Sequence, residues 1–350
     1  MCVEFTTISL SMYYKNKNTI NNKIIFLTGG TGSFGKKFVE FILKTYRPSK
    51  IVIFSRDELK QYEMMKKFDP KKLPIEYFVG DIRDYERLLY LTKNVDIVVH
   101  AAALKQVPTA ELNPSEFIKT NVIGSENVIR ASTLNEVKKV IALSTDKACS
   151  PINLYGATKL TADKLFVSAN YSNLKKTKTL FSVVRYGNVL GSRGSVLPLF
   201  LEQQKDKFFT ITDAEMTRFI ITLSEGVKFV INSIHNMIGG EIFVPKIPSI
   251  KILDLAKAIN PEKNIKYIGI RPGEKLHEIM ISKDDAYYTY DCGDYFVISP
   301  SLPWWRGIEY NFNIKNGKKV KIGFDYSSDN NPSFLNISKI TKLISKYIKS

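Results

Sequence analysis

The sequence predicts an α/β protein, a doubly wound parallel sheet carrying a smaller α/β lobe. Three observations predict it. Short apolar, β-rich runs alternate with helical patterns through the first half of the chain, and a glycine-rich turn joins the first run to the first helix. Past about Asn188 the order becomes irregular, with Gly and Pro spread through GSRGSVLP, VPKIPS and RPGEK. Apolar runs of this length with helices between them imply parallel strands covered on both faces.

Taken in order, residues 1–22 end in the polar run KNKNTINN and show no sustained period. They are expected to be an extension outside the core, with Met12 as an alternative start. KIIFLT is the first strand and a helix runs from Phe34; KIVIFS is the second, before a helix over Leu59 to Phe68. IEYFVGD, a helix from Tyr85 and DIVVHAA continue the alternation. Longer helices are expected over Ser115 to Ser132 and Tyr155 to Asn170, with strands VKKVIALST between them and TLFSVVRYGNV after them. Residues 23–187 are thus expected to form the principal domain and 188–350 the lobe and tail, with 217–245 returning to the sheet. The chain contains no internal repeat.

Lys and Arg total 51 against 34 acidic residues, a formal charge of +17. A nucleic-acid or membrane partner would need clustered basic residues. Here they are scattered, so the expectation is a solvated surface and a positive cleft for a small anion, with no nucleic acid and no membrane. Cys2, Cys149 and Cys292 have no paired spacing, and no apolar run approaches the roughly 18 residues of a membrane span. A cytoplasmic protein is expected, with no metal site. His100, His235 and His277 are scattered without ligand spacing, and His100 is expected to be structural.

The turn FLTGGTGSFGKK admits two readings. Gly30, Gly35 and Lys36 have P-loop spacing, but a P-loop needs Ser or Thr after its lysine to hold magnesium, and here Lys37 follows. Gly29, Gly32 and Gly35 sit three apart, after a strand and at the opening of a helix, where backbone can approach a pyrophosphate. That is a Rossmann-type dinucleotide turn. About twenty residues on, where an acidic residue would bind the ribose of NAD, stands Ser55-Arg56, which suits the 2′-phosphate of NADP. Asp57 beside it keeps the alternative open.

In LSTDKACSPINLYGATK, Tyr155 and Lys159 lie one helical turn apart. A nearby ammonium favours the phenolate, which makes Tyr155 a usable base. Y-x-x-x-K recurs in helices without function; its place after the fifth strand of a dinucleotide fold gives it meaning. Asp146 and Lys147 end that strand and add two titratable groups, although an exposed ion pair would look the same in sequence.

With these residues in hand, the chain resembles the extended short-chain dehydrogenase/reductases, and more closely the inverting UDP-N-acetylglucosamine 4,6-dehydratases that begin pseudaminic acid synthesis. The motifs that carry this are TGGTGSFGK, SRDELKQ, GDIRD, HAAALKQVP, STDKA, INLYGATKL, RYGNVLGSRGSV, MTRF, GGEIFVPKIPS and RPGEKLHE, in family order from about residue 24 to 282, with DYSSDNNPSFL resembling the family's tail. The resemblance implies that Tyr155 takes the proton of the sugar 4-hydroxyl, that Lys147 is the base at C5 and that Asp146 is the acid at C6. Thr145 supports the 4-hydroxyl. Lys147 must then lose its proton through desolvation or a neighbouring cation, for which Lys159 is the candidate. Related retaining dehydratases place Glu where Lys147 stands. Asn121 is expected to be structural, joining its helix to the active site.

Cofactor contacts implied by the motifs are Gly29, Thr31, Gly32, Ser33, Phe34 and Gly35; Ser55, Arg56, Asp57, Glu58, Leu59 and Lys60; Asp81 and Ile82; Ala101 and Lys105; and Tyr155 with Lys159. Lys105 also falls near the sugar. Asn188, Val196, Arg218, Arg271 and Glu274 match nucleotide-sugar contacts, the arginines suiting a diphosphate and the carboxylate a ribose. The substrate implied is UDP-N-acetylglucosamine, the cofactor NADP and the assembly a homo-oligomer. A UDP-sugar 4-epimerase or reductase of the same fold would use Tyr155 and Lys159 without Asp146 and Lys147. A non-catalytic NADP-binding regulatory protein would need neither pair.

Overall fold

The computed structural model describes residues 19–172, 179–192, 194–300 and 317–348. Met12 and most of the N-terminal extension lie outside them. The remaining end of that extension is not outside the core. Ile20 is fully buried, and the backbone of Asn22 donates to Arg47 while Asn21 accepts from it. A single apolar residue in a polar run carries no period, so the sequence did not distinguish it.

The first six of the seven strands in the parallel part of the main sheet are β1 (Ile24–Thr28), β2 (Lys50–Ser55), β3 (Ile75–Val79), β4 (Ile97–His100), β5 (Lys139–Thr145) and β6 (Leu180–Tyr186). They lie in the order β6-β5-β4-β1-β2-β3. β1, β2, β4 and β6 are buried almost residue for residue, whereas β3 at the edge is half-exposed. That difference explains why the interior strands read as continuous apolar runs. The strand order reverses at β1, and this switch point puts the ends of β1 and β4 on either side of a crevice.

The first three helices follow the strand ends: α1 (Ser33–Thr45), α2 (Glu58–Lys67) and α3 (Tyr85–Leu91). Asp57 caps α2 and Asp84 caps α3 through their side chains, so each helix starts where the chain leaves the sheet. The helix expected over Ser115 to Ser132 is instead three pieces: α4 (Val107–Leu112) precedes α5 (Pro114–Phe117), a π-helical turn covers Ile118–Ile123, and α6 (Gly124–Leu134) resumes. Pro114 starts α5, and the π turn carries Asn121 inward. There Asn121 accepts from Leu104 N at 2.9 Å, donates to Leu104 O at 2.9 Å and donates to Thr158 at 3.1 Å. One side chain thus ties the loop after β4 to α7 (Leu154–Ser172), and such inserted residues are frequent near functional sites.

Strand Ile242–Pro245 pairs parallel with β6, preceded by the helix Leu223–Asn236, which packs beside α1. Strands Tyr295–Ile298, Thr289–Asp291 and Lys318–Lys319 then extend the sheet in antiparallel fashion. The main sheet therefore takes in residues that the sequence put in the smaller lobe. YFVI is too short for periodicity to say which sheet it joins.

A second core gathers Leu197, Phe200, Phe209, Met216, Leu255 and Ile340. Around it stand the helices Val196–Glu202, Ile252–Ile259 and Ile337–Ile348, with strand Thr217–Ile221 between Asn188–Val189 and Ser249–Lys251. This lobe faces the ends of β5 and β6.

Candidate active site

The carboxyl ends of the parallel strands open onto a cleft of about 1420 Å³ whose far wall is the second lobe. A drug-sized ligand fills roughly 300–1,000 Å³. This cleft therefore has room for a dinucleotide and a second molecule together.

At its first end lies the glycine turn. Gly29 has φ +65°, and a Cβ there would stand 2.8 Å from Ala102 N, so only glycine lets the turn meet the loop after β4. A Cβ at Gly35 would overlap the Gly30 carbonyl, which explains the close packing of α1 on the turn. Gly32 caps α1 with no side-chain hydrogen bond, and the first turn holds no acidic residue. Its amides are left for an anion, as a pyrophosphate site requires. Thr31, Gly32, Ser33 and Phe34 line this end.

Beyond β2, Ser55, Arg56, Asp57 and Lys60 line the cleft; Glu58 and Leu59 are exposed on α2 and their side chains do not reach it. Helical geometry turns those two outward. Asp57 is committed to its own helix, accepting from Lys60 N at 2.9 Å and pairing with the Lys60 ammonium. Arg56 is half-exposed and reaches Asp81 at 3.5 Å. Asp81 also accepts from Arg83, whose contacts hold its carboxyl below the ordinary range against the opposing effect of burial. Ile82 packs on Gly124, where a Cβ would come within 2.7 Å of its side chain. Ala101 and Lys105 border the same space. His100 is buried between Thr28 at 2.9 Å and Ser125 at 3.3 Å, and burial, helped by Lys159, lowers its pKa to about 3. It is a neutral strut.

At the centre, Thr145, Lys147, Tyr155 and Lys159 share the cleft wall. β5 ends at Thr145, and a 3-10 turn over Asp146–Ala148 swings Lys147 towards the phenol. Gly156 lets α7 start against this turn, since a Cβ there would meet the Lys147 carbonyl. Asp146 is fully buried and does not itself line the cleft. Its Oδ1 accepts from Thr145 Oγ1 at 2.9 Å and Lys147 Nζ at 3.1 Å, while Oδ2 has no partner and points towards Gly187 in the cleft wall.

The charges at this centre differ from the sequence expectation in two ways. Lys159 is not the cation beside Lys147; its Nζ donates to Leu143 O at 2.8 Å, and burial lowers its pKa against the pull of Asp163. Lys147 lies between carboxylates. Burial acts to lower its pKa, but Asp146 and Glu278, the latter 3.0 Å from Nζ, outweigh it and raise the value. Tyr155 is likewise pushed up, to about 12, by burial, with Lys147 and the Thr145 hydroxyl working the other way. The Lys147 ammonium, carried by the turn after β5, thus favours the phenolate.

At the far end, Asn188, Val196, Arg218, Arg271 and Glu274 all line the cleft. Arg271 is exposed and grips Glu274 through two bonds, of 2.9 and 2.8 Å. Arg218 is buried, donating to the carbonyls of Thr217, Leu276 and Lys275, with Glu274 3.5 Å away. An anion here would meet one buried and one exposed guanidinium. Asn188 stands 3.5 Å from Lys147 Nζ, linking this end to the centre.

Of the residues singled out in the sequence, the structure brings nearly all to one cleft; Gly35, Glu58, Leu59 and Asp146 are the exceptions on its lining. Glu278 was missed. It lies in RPGEKLHE, the motif that supplied Arg271 and Glu274, and its chemistry appears only when the lobe folds over Lys147.

Residues 25–300 match the family described as polysaccharide biosynthesis protein. A UDP-N-acetylglucosamine 4,6-dehydratase (inverting) of Campylobacter jejuni subsp. jejuni serotype O:23/36 (strain 81-176) is 56% identical over 331 residues, 93% of this chain and 98% of that one. A UDP-glucose 4-epimerase of Rickettsia bellii (strain OSU 85-389) is 42% identical, covering 92% of this chain and 95% of its own. Among solved structures, Pen from Bacillus thuringiensis superposes with a TM-score of 0.85 at 37% identity, covering 94% of this chain and 99% of that chain. By these likenesses the chain belongs to the polysaccharide biosynthesis protein family and, within it, to the inverting UDP-N-acetylglucosamine 4,6-dehydratases of the extended short-chain dehydrogenase/reductase fold.

Proposed function

We propose that this protein dehydrates UDP-N-acetylglucosamine at C4–C6 with inversion at C5, giving UDP-2-acetamido-2,6-dideoxy-β-L-arabino-hex-4-ulose, the first step of pseudaminic acid biosynthesis. The observation that carries the reading is Lys147 on the same cleft wall as Tyr155, with Asp146 bonded to it. A 4-epimerase has no use for that amine and acid.

In this reading Tyr155 removes the proton of the 4-hydroxyl, steadied by Thr145. NADP⁺, when bound by the glycine turn, would supply the hydride acceptor for C4 and, once reduced, the hydride donor for C6. The 4-ketone acidifies C5, Lys147 takes the C5 proton, and Asp146 protonates the departing C6 hydroxyl. Arg218 and Arg271 hold the diphosphate, Asn188 and Val196 border the sugar, and Glu274 receives the ribose once Arg271 turns to phosphate.

The uncapped α1 terminus fits a pyrophosphate, and Arg56 supports NADP over NAD, because its guanidinium borders the cleft while Asp57 faces its own helix. Arg56→Ala is expected to weaken NADP⁺ about 10- to 100-fold, the range of one or two charge-assisted hydrogen bonds, and to leave NAD⁺ affinity nearly unchanged. Titration of both cofactors by fluorescence checks this; equal loss for both would remove Arg56 from phosphate recognition.

The reading includes a cytoplasmic homo-oligomer. No helix among the described residues is long and apolar enough to cross a membrane. Leu112, Ile118 and Ile123 expose apolar side chains along consecutive helical pieces, which suits a face between copies. The reaction itself is tested by incubating the protein with UDP-N-acetylglucosamine and catalytic NADP⁺. A product lighter by one water is expected, whereas a 4-epimer of unchanged mass would identify an epimerase.

A further inference from the structure

Glu278 reaches the cleft from the second lobe and meets the amine of Lys147, which comes from the sheet. Its Oε1 lies 3.0 Å from Lys147 Nζ and 3.9 Å from Arg218 Nε. Glu278 is 2% exposed, and its Oε2 is buried with no hydrogen-bond partner among the described residues. The backbone beneath is pinned: Glu278 N donates to Ser328 Oγ at 2.9 Å, Ser328 N donates to Glu278 O at 2.8 Å, and Ser328 Oγ meets Thr217 Oγ1 at 2.7 Å. The carboxylate is therefore held in place, yet one of its oxygens has nothing to accept from.

A buried carboxylate oxygen without a donor is an unfavourable state for the ionised form and a ready place for a proton. Lys147 has the complementary problem, since an ammonium cannot remove a proton from carbon. Moving one proton across the 3.0 Å contact turns two charges into a neutral amine and a neutral acid. Desolvation favours that neutral pair, and the Lys147 side chain is already only 23% exposed before a sugar covers it. The groups facing the pair are Asp146 on the same turn, Tyr155 on α7 and Arg218 on strand Thr217–Ile221, with Glu274 beyond Arg218. Asp146, 3.1 Å from Nζ, favours the ammonium and so opposes the transfer, whereas Arg218 acts on both partners, favouring the ionised carboxylate and disfavouring the ammonium.

We infer that Glu278 is the positioning residue that accepts the proton of Lys147 and so frees its amine for C5, an inference that rests on reading Lys147 as the C5 base. The Nζ–H bond breaks and an O–H bond forms on Glu278. The lone pair left on Nζ then bonds the C5 proton, and the C–H electron pair passes into the enolate of the 4-ketone. Lys147 is again an ammonium, and Glu278 gives its proton to solvent as product leaves.

The test is the pH profile of kcat for Glu278→Gln, Glu278→Asp and Lys147→Ala, with KM and NADP⁺ affinity measured alongside. Glu278→Gln is expected to lose about 100-fold in kcat at pH 7, within the range of proton-transfer partners, with KM nearly unchanged. Its rate should climb about tenfold per pH unit above 7, because the carboxylate that takes the proton is then missing, while the wild type stays flat. Glu278→Asp keeps an acceptor and should keep the flat profile at a reduced rate; it also covers the case of a glutamine variant that does not fold. Wild-type kcat in Glu278→Gln, a gain in rate, or a uniform loss with no new slope would each overturn the inference. Normal turnover in Lys147→Ala would instead overturn the reading of the base, so the two failures are separate.

Discussion

Lys147→Ala is expected to bind NADP⁺ as the wild type does and to lose dehydration by about 10²- to 10⁴-fold, the usual contribution of a positioned base. The amine is placed by the 3-10 turn after β5 and borders the cleft, while Asp146 and Glu278 hold it from two directions. The cofactor-binding glycine turn lies on other elements, so its affinity should be spared. Oxidation at C4 uses the phenol of Tyr155, so this variant should still reduce bound NADP⁺, more slowly for want of the ammonium that favours the phenolate, and then stall with the reduced cofactor retained. Removing the ammonium also leaves two buried carboxylates without the cation they share, so the variant should be less stable than wild type at pH 7, which thermal unfolding reads directly. Undiminished turnover would take Lys147 out of the chemistry.

Tyr155→Phe is expected to fail one step earlier. The ring packs with Ala110 and Phe117, and phenylalanine fills that space, so folding should survive. Only the hydroxyl is lost. Without it nothing takes the proton of the 4-hydroxyl, and nicotinamide reduction should fall by about 10²- to 10⁴-fold along with dehydration. Single-turnover absorbance separates the two variants: Lys147→Ala gives a burst of reduced cofactor and Tyr155→Phe gives none. A burst in both would assign the 4-hydroxyl proton to another group. The phenol of the free protein, pushed up to about 12 by burial, is neutral at pH 7. The Lys147 ammonium and the Thr145 hydroxyl are the groups that favour its ionisation.

Much of this was legible in the chain. Interior strands such as KIVIFS are apolar on both faces because helices cover both, and a turn such as TGGTGSFG has few physical uses at the end of a strand. Tyr155 and Lys159 could be placed on one helix by counting. What could not be read is what the tertiary structure does to charge. Counting puts Lys159 one turn from Tyr155; it does not show that this ammonium bonds the Leu143 carbonyl, or that the Lys147 ammonium also acts on the phenol. Spacing cannot show that Asp146 is buried, or that Glu278 crosses from the other lobe to raise, not lower, the proton affinity of Lys147. The broken helix has a similar cause. Ser115 to Ser132 has helical composition, but Pro114 restarts the chain and Asn121 turns inward to bond Leu104 and Thr158. A contact made across the fold overrides the local period.

What happens at C5 in heavy water decides the role of Lys147. Wild-type protein, UDP-N-acetylglucosamine and catalytic NADP⁺ in D₂O should give a 4-keto-6-deoxy sugar with deuterium at C5 and the L-arabino configuration, read by proton NMR of the fresh product. A product with protium at C5, or with C5 uninverted, would contradict the placing of Lys147 as a base in one cleft with Tyr155.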